Sequence, residues 1–365
     1  MISRIPILQK YLLRHFLVSF LGCLFAFVSL FIVVDFFERL RTFLKEGSTF
    51  LQASTYIVLK IPMIVHLMTP IAVLVATLLA VGRLSQLSEI TAMRASGASI
   101  RWLVMPLFAA GLVISLLQFI AGETLVPWAT QAVEELYHID IKKKLEKGVL
   151  SRENYWFRKD NSFYSVDEYD SSKARLVGVT RLDFDAQFRL RQRMDAESAD
   201  WISSRVGWVA KNVSEIEFEN NSKLKLDSFK VIPLVVSEKP SDFYSMKRGP
   251  EEMTSSELRI YIDKLRSEGV PVIKYLVGLT AKFSFPLVNA IAILLAFPFA
   301  LSSARSGKLT RGFIAGIGVG FAYHFVHAIC SSLGSAELIP VTAAAWGANI
   351  LFTSLGVYLV SGADQ

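Results

Sequence analysis

Six long apolar stretches divide the chain into two groups of three. None of them contains Asp, Glu, Lys or Arg, and each has about the 20 residues that a helix needs to cross the hydrocarbon core of a bilayer. We therefore predict six transmembrane helices, numbered here as spans one to six, with a long polar segment between spans three and four. The stretches are residues 16–34, 61–82, 102–122, 283–304, 312–336 and 338–363.

The polar segment has the periodicity of β-strands. From Tyr155 to about Val236, apolar residues alternate with polar ones, as at Val177 and Val179. This alternation is typical of strands with one buried face. Several such runs in succession predict a small antiparallel sandwich or roll.

A helix is predicted directly after the strands, in the sequence TSSELRIYIDKLRSEG. Thr254 and Glu257 have the spacing of a capping box, and Leu258, Ile262 and Leu265 form an apolar stripe. The helix therefore has one face to bury, and it leads directly into span four.

These patterns predict an α-helical membrane protein with six transmembrane helices and an inserted antiparallel β domain. Residues 1–130 are assigned to spans one to three, with a short helix at 84–100 between spans two and three. Residues 131–270 are assigned to the β domain with its helix at 255–268, and residues 271–365 to spans four to six.

The positive charge of the chain is concentrated beside the predicted membrane. The formal net charge is +7, yet residues 131–270 hold 24 basic and 25 acidic side chains, which leaves 15 basic and 7 acidic for the rest. This distribution favours membrane topology over nucleic-acid binding. Cytoplasmic loops carry an excess of Lys and Arg, so both termini are predicted to be cytoplasmic and the β domain external. The cations that indicate this, opposed only by Glu89, are Arg4, Lys10 and Arg14 before span one, Arg83, Arg94 and Arg101 between spans two and three, and Arg305, Lys308 and Arg311 between spans four and five.

Span one is predicted to be retained rather than cleaved as a signal peptide. Its apolar stretch of 19 residues is longer than the roughly 7 to 15 residues of a signal peptide. The sequence Val33-Val34-Asp35 also lacks the small residues of a cleavage site. Span one is therefore expected to remain in the membrane as a helix.

We predict no catalytic residues in this chain. The segment SGKLT, at 306–310, differs from a phosphate-binding loop because Ser302 stands where the first glycine is needed and Leu309 follows the lysine. The sequence also lacks the His-Glu-x-x-His and Gly-x-Ser-x-Gly motifs of hydrolases.

No metal site is predicted either. His324, His327 and Cys330 recur every three residues in span five, and His66 in span two could approach them. A zinc site needs three or four ligands with supporting hydrogen bonds. Polar side chains in a membrane bundle more often form hydrogen bonds to a neighbouring helix.

Four cations near the outer membrane surface are candidates for binding a phosphorylated amphiphile. A charge at membrane depth is costly and usually faces a cavity or a partner, and charge-assisted contacts to phosphate are strong. The alternative is that these side chains reach ordinary lipid headgroups or pair with Asp35 and Glu38. The four are Arg39, Arg41, Lys45 and Lys282.

The sequence SEITAMRASGAS, from Ser88 to Ser99, is a short polar insert between spans two and three. Ile90 and Met93 are its larger apolar residues, whereas Glu89 and Arg94 are charged. A short helix attached to two spans transmits force when a soluble partner holds it. The alternative is a loop that lies on the headgroups.

Several segments together resemble the LptF/LptG permeases of the lipopolysaccharide-export ABC transporter, with more likeness to LptG. They are SEITAMRASGAS, VVDFFERLRTFL at the outer end of span one, MTPIAVLVATLLAVGRLS in span two, and ELRIYIDKLRSEG leading to KFSFPLVNAIAILLAFPFA in span four. The likeness covers the whole chain, and the order of the segments makes it specific.

The resemblance implies a subunit of a bacterial inner-membrane transporter. In this family an LptF and an LptG subunit bind two copies of the ATPase LptB, which holds the ATP and Mg, so no cofactor is expected in this chain. By similarity the coupling helix includes Ser88, Glu89, Met93 and Arg94, with Glu89 as its polar anchor. Spans one and five would be the lateral gates, which would place His324 and His327 near a gate.

The family's periplasmic domain is a β-jellyroll that passes lipopolysaccharide to the LptC and LptA proteins. The outer cations would then face the phosphates of lipid A. Asp35 stands where some members of the family have a basic residue, which leaves the individual lipid contacts open. The alternatives are an ABC permease for another amphiphile or a lipoprotein, and a membrane scaffold that transports nothing.

Overall fold

The computed structural model describes residues 7–45, 47–136, 155–159, 161–170, 174–185, 187–203, 207–219, 222–234, 249–267, 270–305 and 309–363. Its helices are α1 (Ile7–Lys45), α2 (Phe50–Gln86), α3 (Glu89–Ala95), α4 (Ile100–Glu123), α5 (Leu125–Glu135), α6 (Ser255–Ser267), α7 (Ile273–Ser284), α8 (Val288–Arg305), α9 (Leu309–Ser335) and α10 (Val341–Ala363). Its strands are β1 (Tyr155–Lys159), β2 (Ser162–Asp170), β3 (Arg175–Phe184), β4 (Leu190–Ser203), β5 (Gly207–Glu219) and β6 (Ser222–Leu234). Arg4 and residues 306–308 lie outside the described residues, so the structure does not test the predictions made there.

Among the residues that the structure describes, six helical segments are long and apolar enough to cross a membrane, which confirms the predicted fold class. Spans one, two and three are α1, α2 and α4, and spans five and six lie in α9 and α10. Span four combines α7 and α8 through a short 3₁₀ turn at Phe285–Leu287. Pro286 lies in this turn. Because proline has no amide hydrogen to donate to the preceding helical turn, the α-helix is interrupted here.

The first two spans are much longer than their apolar stretches. Helix α1 has 39 residues and α2 has 37. At 1.5 Å per residue these helices are about 55 Å long, whereas the hydrocarbon core is about 30 Å thick. Their ends therefore extend beyond the hydrocarbon, and charged residues there are not confined to the apolar core.

Spans two and four form the centre of the helical bundle. About two thirds of the most apolar window of span two and 72% of that of span four are buried, against 6% in span one and 11% in span five. Small residues let the helices approach closely. A Cβ atom added at Gly111 of span three would lie 2.9 Å from the Cα atom of Ala290 in span four. Spans one and five are left at the edge of the bundle.

The strands of the β domain form one antiparallel sheet in the order β1-β2-β3-β4-β5-β6. The ring centroids of Tyr169 in β2 and Trp208 in β5 lie only 6.3 Å apart, although three strand spacings of about 4.8 Å separate the two strands. The sheet therefore curls toward its buried face. This arrangement is an antiparallel roll.

One detail of the predicted alternation is wrong. Val179 is buried as expected, but Val177 is 36% exposed, and Leu176 takes the inner position. Gly178 has a φ of +65°, a left-handed conformation that is rare for other residues. This backbone conformation shifts the side-chain alternation of β3 at Val177.

The outer face of the sheet carries ion pairs between neighbouring strands. Asp200 in β4 accepts a hydrogen bond from Arg175 in β3 and pairs with Lys211 in β5 at 2.7 Å. The hydrogen bond from Arg175 is the main cause that lowers the pKa of the Asp200 carboxyl. The sheet therefore has one apolar face and one charged face, as the sequence predicts.

The capping box and the apolar stripe of α6 are confirmed. The Thr254 amide donates to Glu257 at 2.9 Å, and the Glu257 amide donates to the Thr254 hydroxyl at 3.2 Å. Leu258, Ile262 and Leu265 are buried. Leu258 and Ile262 pack against α7, so α6 folds back on the beginning of span four.

We expect Trp208→Ala to destabilise the β domain by about 3–5 kcal/mol, because Trp208 is fully buried and its removal leaves a large cavity. Urea titration followed by limited proteolysis of the domain measures the change. The matched control is Trp156→Ala, since Trp156 is 59% exposed and should change stability little. Equal effects of the two substitutions would contradict the assignment of Trp208 to the core.

Candidate functional site

Helix α3 is a seven-residue helix held between two tight turns. Ser88 precedes it with a φ of 58° and Gly97 follows it with a φ of +95°. The Ser96 hydroxyl donates to the Met93 carbonyl at 2.7 Å, which closes the last turn. A short helix is present, but it covers only Glu89–Ala95 rather than the predicted 84–100, because α2 continues to Gln86 and α4 begins at Ile100. It is joined to α2 and α4 by only a few residues on each side.

The two faces of α3 differ in exposure. Ile90 and Met93 are 2% and 6% exposed and pack into the core of the bundle. Thr91, Ala92 and Ala95 are exposed on the opposite face. The side of α3 available to a partner is therefore a surface of small residues, and Met93 anchors the helix from inside.

The charged residues of α3 lie between these two faces. Glu89 and Arg94 are half-buried, and Ser88 is exposed. The side chain of Tyr11, near the beginning of α1, lies close to the Glu89 carboxylate. Glu89 therefore lies between span one and the solvent.

An ion-pair cluster joins the C-terminal part of α1 to the N-terminal part of α2. Asp35 in α1 accepts a hydrogen bond from Lys60 in α2 at 2.5 Å and pairs with Arg39 at 3.5 Å. Lys60 also donates to the Tyr56 hydroxyl at 3.0 Å, and the Arg39 guanidinium lies 5.2 Å from the centre of the Tyr56 ring. Asp35 is buried, so the cluster compensates a charge that has little access to water. The pairing of Arg39 with Asp35 was one of the alternatives that the sequence allowed, whereas no local pattern indicated the role of Lys60.

The other two cations of α1 are more accessible. Arg41 and Lys45 are exposed, and neither has an ion pair with a residue that the structure describes. Their positive charge is therefore available to an anion at the C-terminal end of α1.

Lys282 is the most buried of the four candidate cations. Its side chain is 11% exposed, and its Nζ atom lies 3.5 Å from Oε1 of Glu123 at the end of span three. The Glu123 carboxylate also accepts hydrogen bonds from the amide and the hydroxyl of Ser255, both at 2.8 Å. The predicted site residues did not include Glu123 or Ser255. The only signal was a lone acidic residue directly after the third apolar stretch.

A chain of amides connects spans two, three and four below this ion pair. Asn289 donates to the side-chain oxygen of Gln118 at 2.6 Å, and Gln118 donates to the backbone carbonyl of His66 at 2.8 Å. Buried amides that satisfy one another in this way hold membrane helices together. His66 is part of this contact, packed against Gly122 of span three.

Span five makes a separate polar contact with spans four and six. Tyr323 donates to Asn349 of span six, and Asn349 donates to the backbone carbonyl of Ser284 at 2.7 Å. The ring of His327 stacks on that of Tyr323 with centroids 6.1 Å apart. Among the described residues there is no group of three or more His, Cys, Asp or Glu side chains that could hold a metal ion.

The fold and these sites define a class of protein: a multi-pass membrane protein with an inserted β domain and a short helix between spans two and three. Residues 10–361 match the family described as "Lipopolysaccharide export system permease LptF/LptG". The chain belongs to this family, which implies the inner membrane.

Two relatives support the same conclusion. The lipopolysaccharide export system permease protein LptG of Escherichia coli (strain K12) is 23% identical over 336 residues, which are 92% of each chain. The protein of the same description from Haemophilus influenzae is 24% identical over 355 residues, 97% of this chain and 98% of that one. The greater likeness to LptG that the sequence indicated is confirmed.

We expect Gly97→Ala to lower stability by about 1 kcal/mol, because an alanine in the left-handed conformation is strained. Thermal unfolding of the detergent-solubilised protein measures the change. Gly22→Ala is the matched control, since Gly22 lies inside α1 and an added Cβ atom there has nothing within 4 Å. Equal stability of Gly97→Ala and the unsubstituted protein would show that the turn after α3 relaxes without cost.

Proposed function

We propose that this chain is the permease subunit of an ABC transporter that extracts lipopolysaccharide from the inner membrane. A partner ATPase of the LptB type supplies the energy, and a second, LptF-like permease completes the membrane part. The lipid then passes to the periplasmic LptC and LptA proteins. The observation that carries this proposal is α3, which presents an exposed small-residue surface while its other face is fixed to the bundle.

Helix α3 is suited to transmit movement from a soluble ATPase to the spans. Its inner residues Ile90 and Met93 pack into the core, and its outer residues Thr91, Ala92 and Ala95 permit the close approach of another protein. The turns on both sides are short, so a displacement of α3 also displaces α2 and α4. ATP-driven closure of the ATPase dimer would in this way change the packing of the spans.

The outer cations are suited to bind the phosphates of the lipid. Arg41 and Lys45 are exposed, and the Arg39 and Lys282 side chains are 33% and 11% exposed beside acidic partners. Phosphate oxygens accept strong charge-assisted hydrogen bonds from such groups. This role requires that the β domain is periplasmic and that both termini are cytoplasmic, as the sequence predicts.

The edge position of spans one and five supports their role as lateral gates. Both carry large exposed apolar side chains, such as Phe25 in α1 and Phe321 in α9, which are 76% and 73% exposed. In a membrane these surfaces meet either lipid or the second permease. A lipid that enters sideways would pass between them.

Purification of the chain from its native membrane tests the proposal as a whole. A soluble ATPase, a second six-span permease and lipopolysaccharide should be found together by mass spectrometry. Recovery of an ATPase together with another lipid would support ATP-driven transport but indicate a different substrate. The absence of any ATPase would favour a membrane scaffold.

We expect Glu89→Ala to reduce the amount of ATPase that co-purifies by at least severalfold, because it removes the charged anchor of α3 without changing its apolar core contacts. Quantitative immunoblotting against the tagged ATPase measures the loss. Asp263→Ala is the control, since Asp263 is an exposed acid on α6. Unchanged recovery of the ATPase with Glu89→Ala would argue against the coupling role of this residue.

We expect Lys282→Met to lower the amount of bound lipopolysaccharide, because methionine keeps the length of the side chain but cannot bind a phosphate. Lys274→Met is the matched control, since Lys274 lies two turns earlier on the same helix and is exposed. Bound lipopolysaccharide is measured by mass spectrometry of the purified complex. Equal loading of the two variants would indicate that Lys282 is only a structural partner of Glu123.

A further inference from the structure

The cluster at the outer end of span three connects three separate elements. Glu123 is the last residue of α4, Ser255 is the first residue of α6, and Lys282 lies nine residues into α7, about 13 Å along the helix. Both carboxylate oxygens of Glu123 bond to Ser255, one to its hydroxyl and the other to its amide. One side chain therefore holds the beginning of α6 and faces the cation of span four.

Glu123 holds Lys282 less closely than it holds Ser255. The distance of 3.5 Å between Lys282 Nζ and Glu123 Oε1 is longer than the roughly 2.7–2.9 Å of a charge-assisted hydrogen bond. No described residue accepts a hydrogen bond from Lys282. An ammonium group has three donors, and this one is largely removed from water. The site therefore attracts an anion with several acceptor atoms.

We propose that Glu123 and the phosphate of an anionic lipid compete for Lys282, and that this competition links the arrival of the lipid to the attachment of α6. The inference rests on the proposed function, because it takes a phosphorylated amphiphile as the ligand of Lys282. A phosphate at Lys282 makes the short hydrogen bonds that Glu123 does not make. It also places a second negative charge within a few ångströms of the Glu123 carboxylate.

Repulsion between the phosphate and Glu123 acts directly on α6. Moving the carboxylate away from Lys282 strains or breaks its two hydrogen bonds to Ser255, which fix the beginning of α6. Helix α6 is the last element before span four, and it follows the β domain in the chain. Because coupling between two sites is reciprocal, lipid binding loosens the beginning of α6, and a firmly attached α6 opposes lipid binding.

The test is a lipid titration of the full chain, purified with the subunits that co-purify with it. The probe is lipid A with both phosphates, and the comparison probes are lipid A without phosphates and inorganic phosphate alone. We expect Glu123→Gln to lower the Kd of phosphorylated lipid A by about fivefold, because it removes the competing charge. Glu123→Gln should have no such effect when Lys282→Met is also present.

The controls separate competition from damage to the structure. Asp263→Asn removes an exposed negative charge from α6, where the side chain is 77% exposed, and should leave the Kd unchanged. Ser255→Ala loosens α6 but keeps the charge of Glu123, so its effect should be smaller than that of Glu123→Gln. A merely structural defect at Glu123 would weaken lipid binding rather than strengthen it.

Hydrogen exchange provides the second readout. Phosphorylated lipid A should accelerate exchange at the first amides of α6, Ser255 to Leu258, in the unsubstituted complex but not in Lys282→Met. Equal Kd values for the unsubstituted complex and Glu123→Gln would overturn this inference alone. If Glu123→Gln lowered the Kd of inorganic phosphate as much as that of lipid A, the assignment of the ligand as a lipid would be overturned. A complex that binds no lipid A in any variant would overturn the proposed function together with the inference.

Discussion

The structure depends on one constraint: a charge or backbone polar group in hydrocarbon must find its partner within the protein. Long helices satisfy the backbone, and their charged residues are grouped where the helices leave the apolar core. The Asp35–Lys60 pair joins spans one and two, and the Glu123–Lys282 pair joins spans three and four. Each of these two pairs of spans is thus held by attraction between residues on different helices.

The same constraint explains the division between a fixed centre and a free edge. Spans two and four are surrounded by other helices, and amides such as Gln118 and Asn289 add directional bonds to their packing. Spans one and five keep most of their apolar surface exposed. A transporter needs both properties, because the centre must keep its shape while the edge opens toward lipid or another subunit.

Local sequence patterns predicted most of the fold. The features that they did not predict depend on contacts between residues that are far apart in the chain. The spans, the strands and the capping box of Thr254 and Glu257 depend on residues close in the chain, so the sequence is sufficient to find them. The pairing of Glu123 with Lys282 and Ser255 depends on how separate helices meet, which no local pattern contains. The inward position of Met93 has the same origin, since only the packed bundle determines which face of α3 is covered.

The brevity of α3 has a consequence for how the protein is made. An isolated helix of seven residues is unstable in water, so α3 keeps its shape only because Ile90 and Met93 rest on spans that are already packed. A nascent chain with span two inserted but span three still in the ribosome has no such support. The exposed small-residue surface of α3 is therefore completed only after span three has packed against span two.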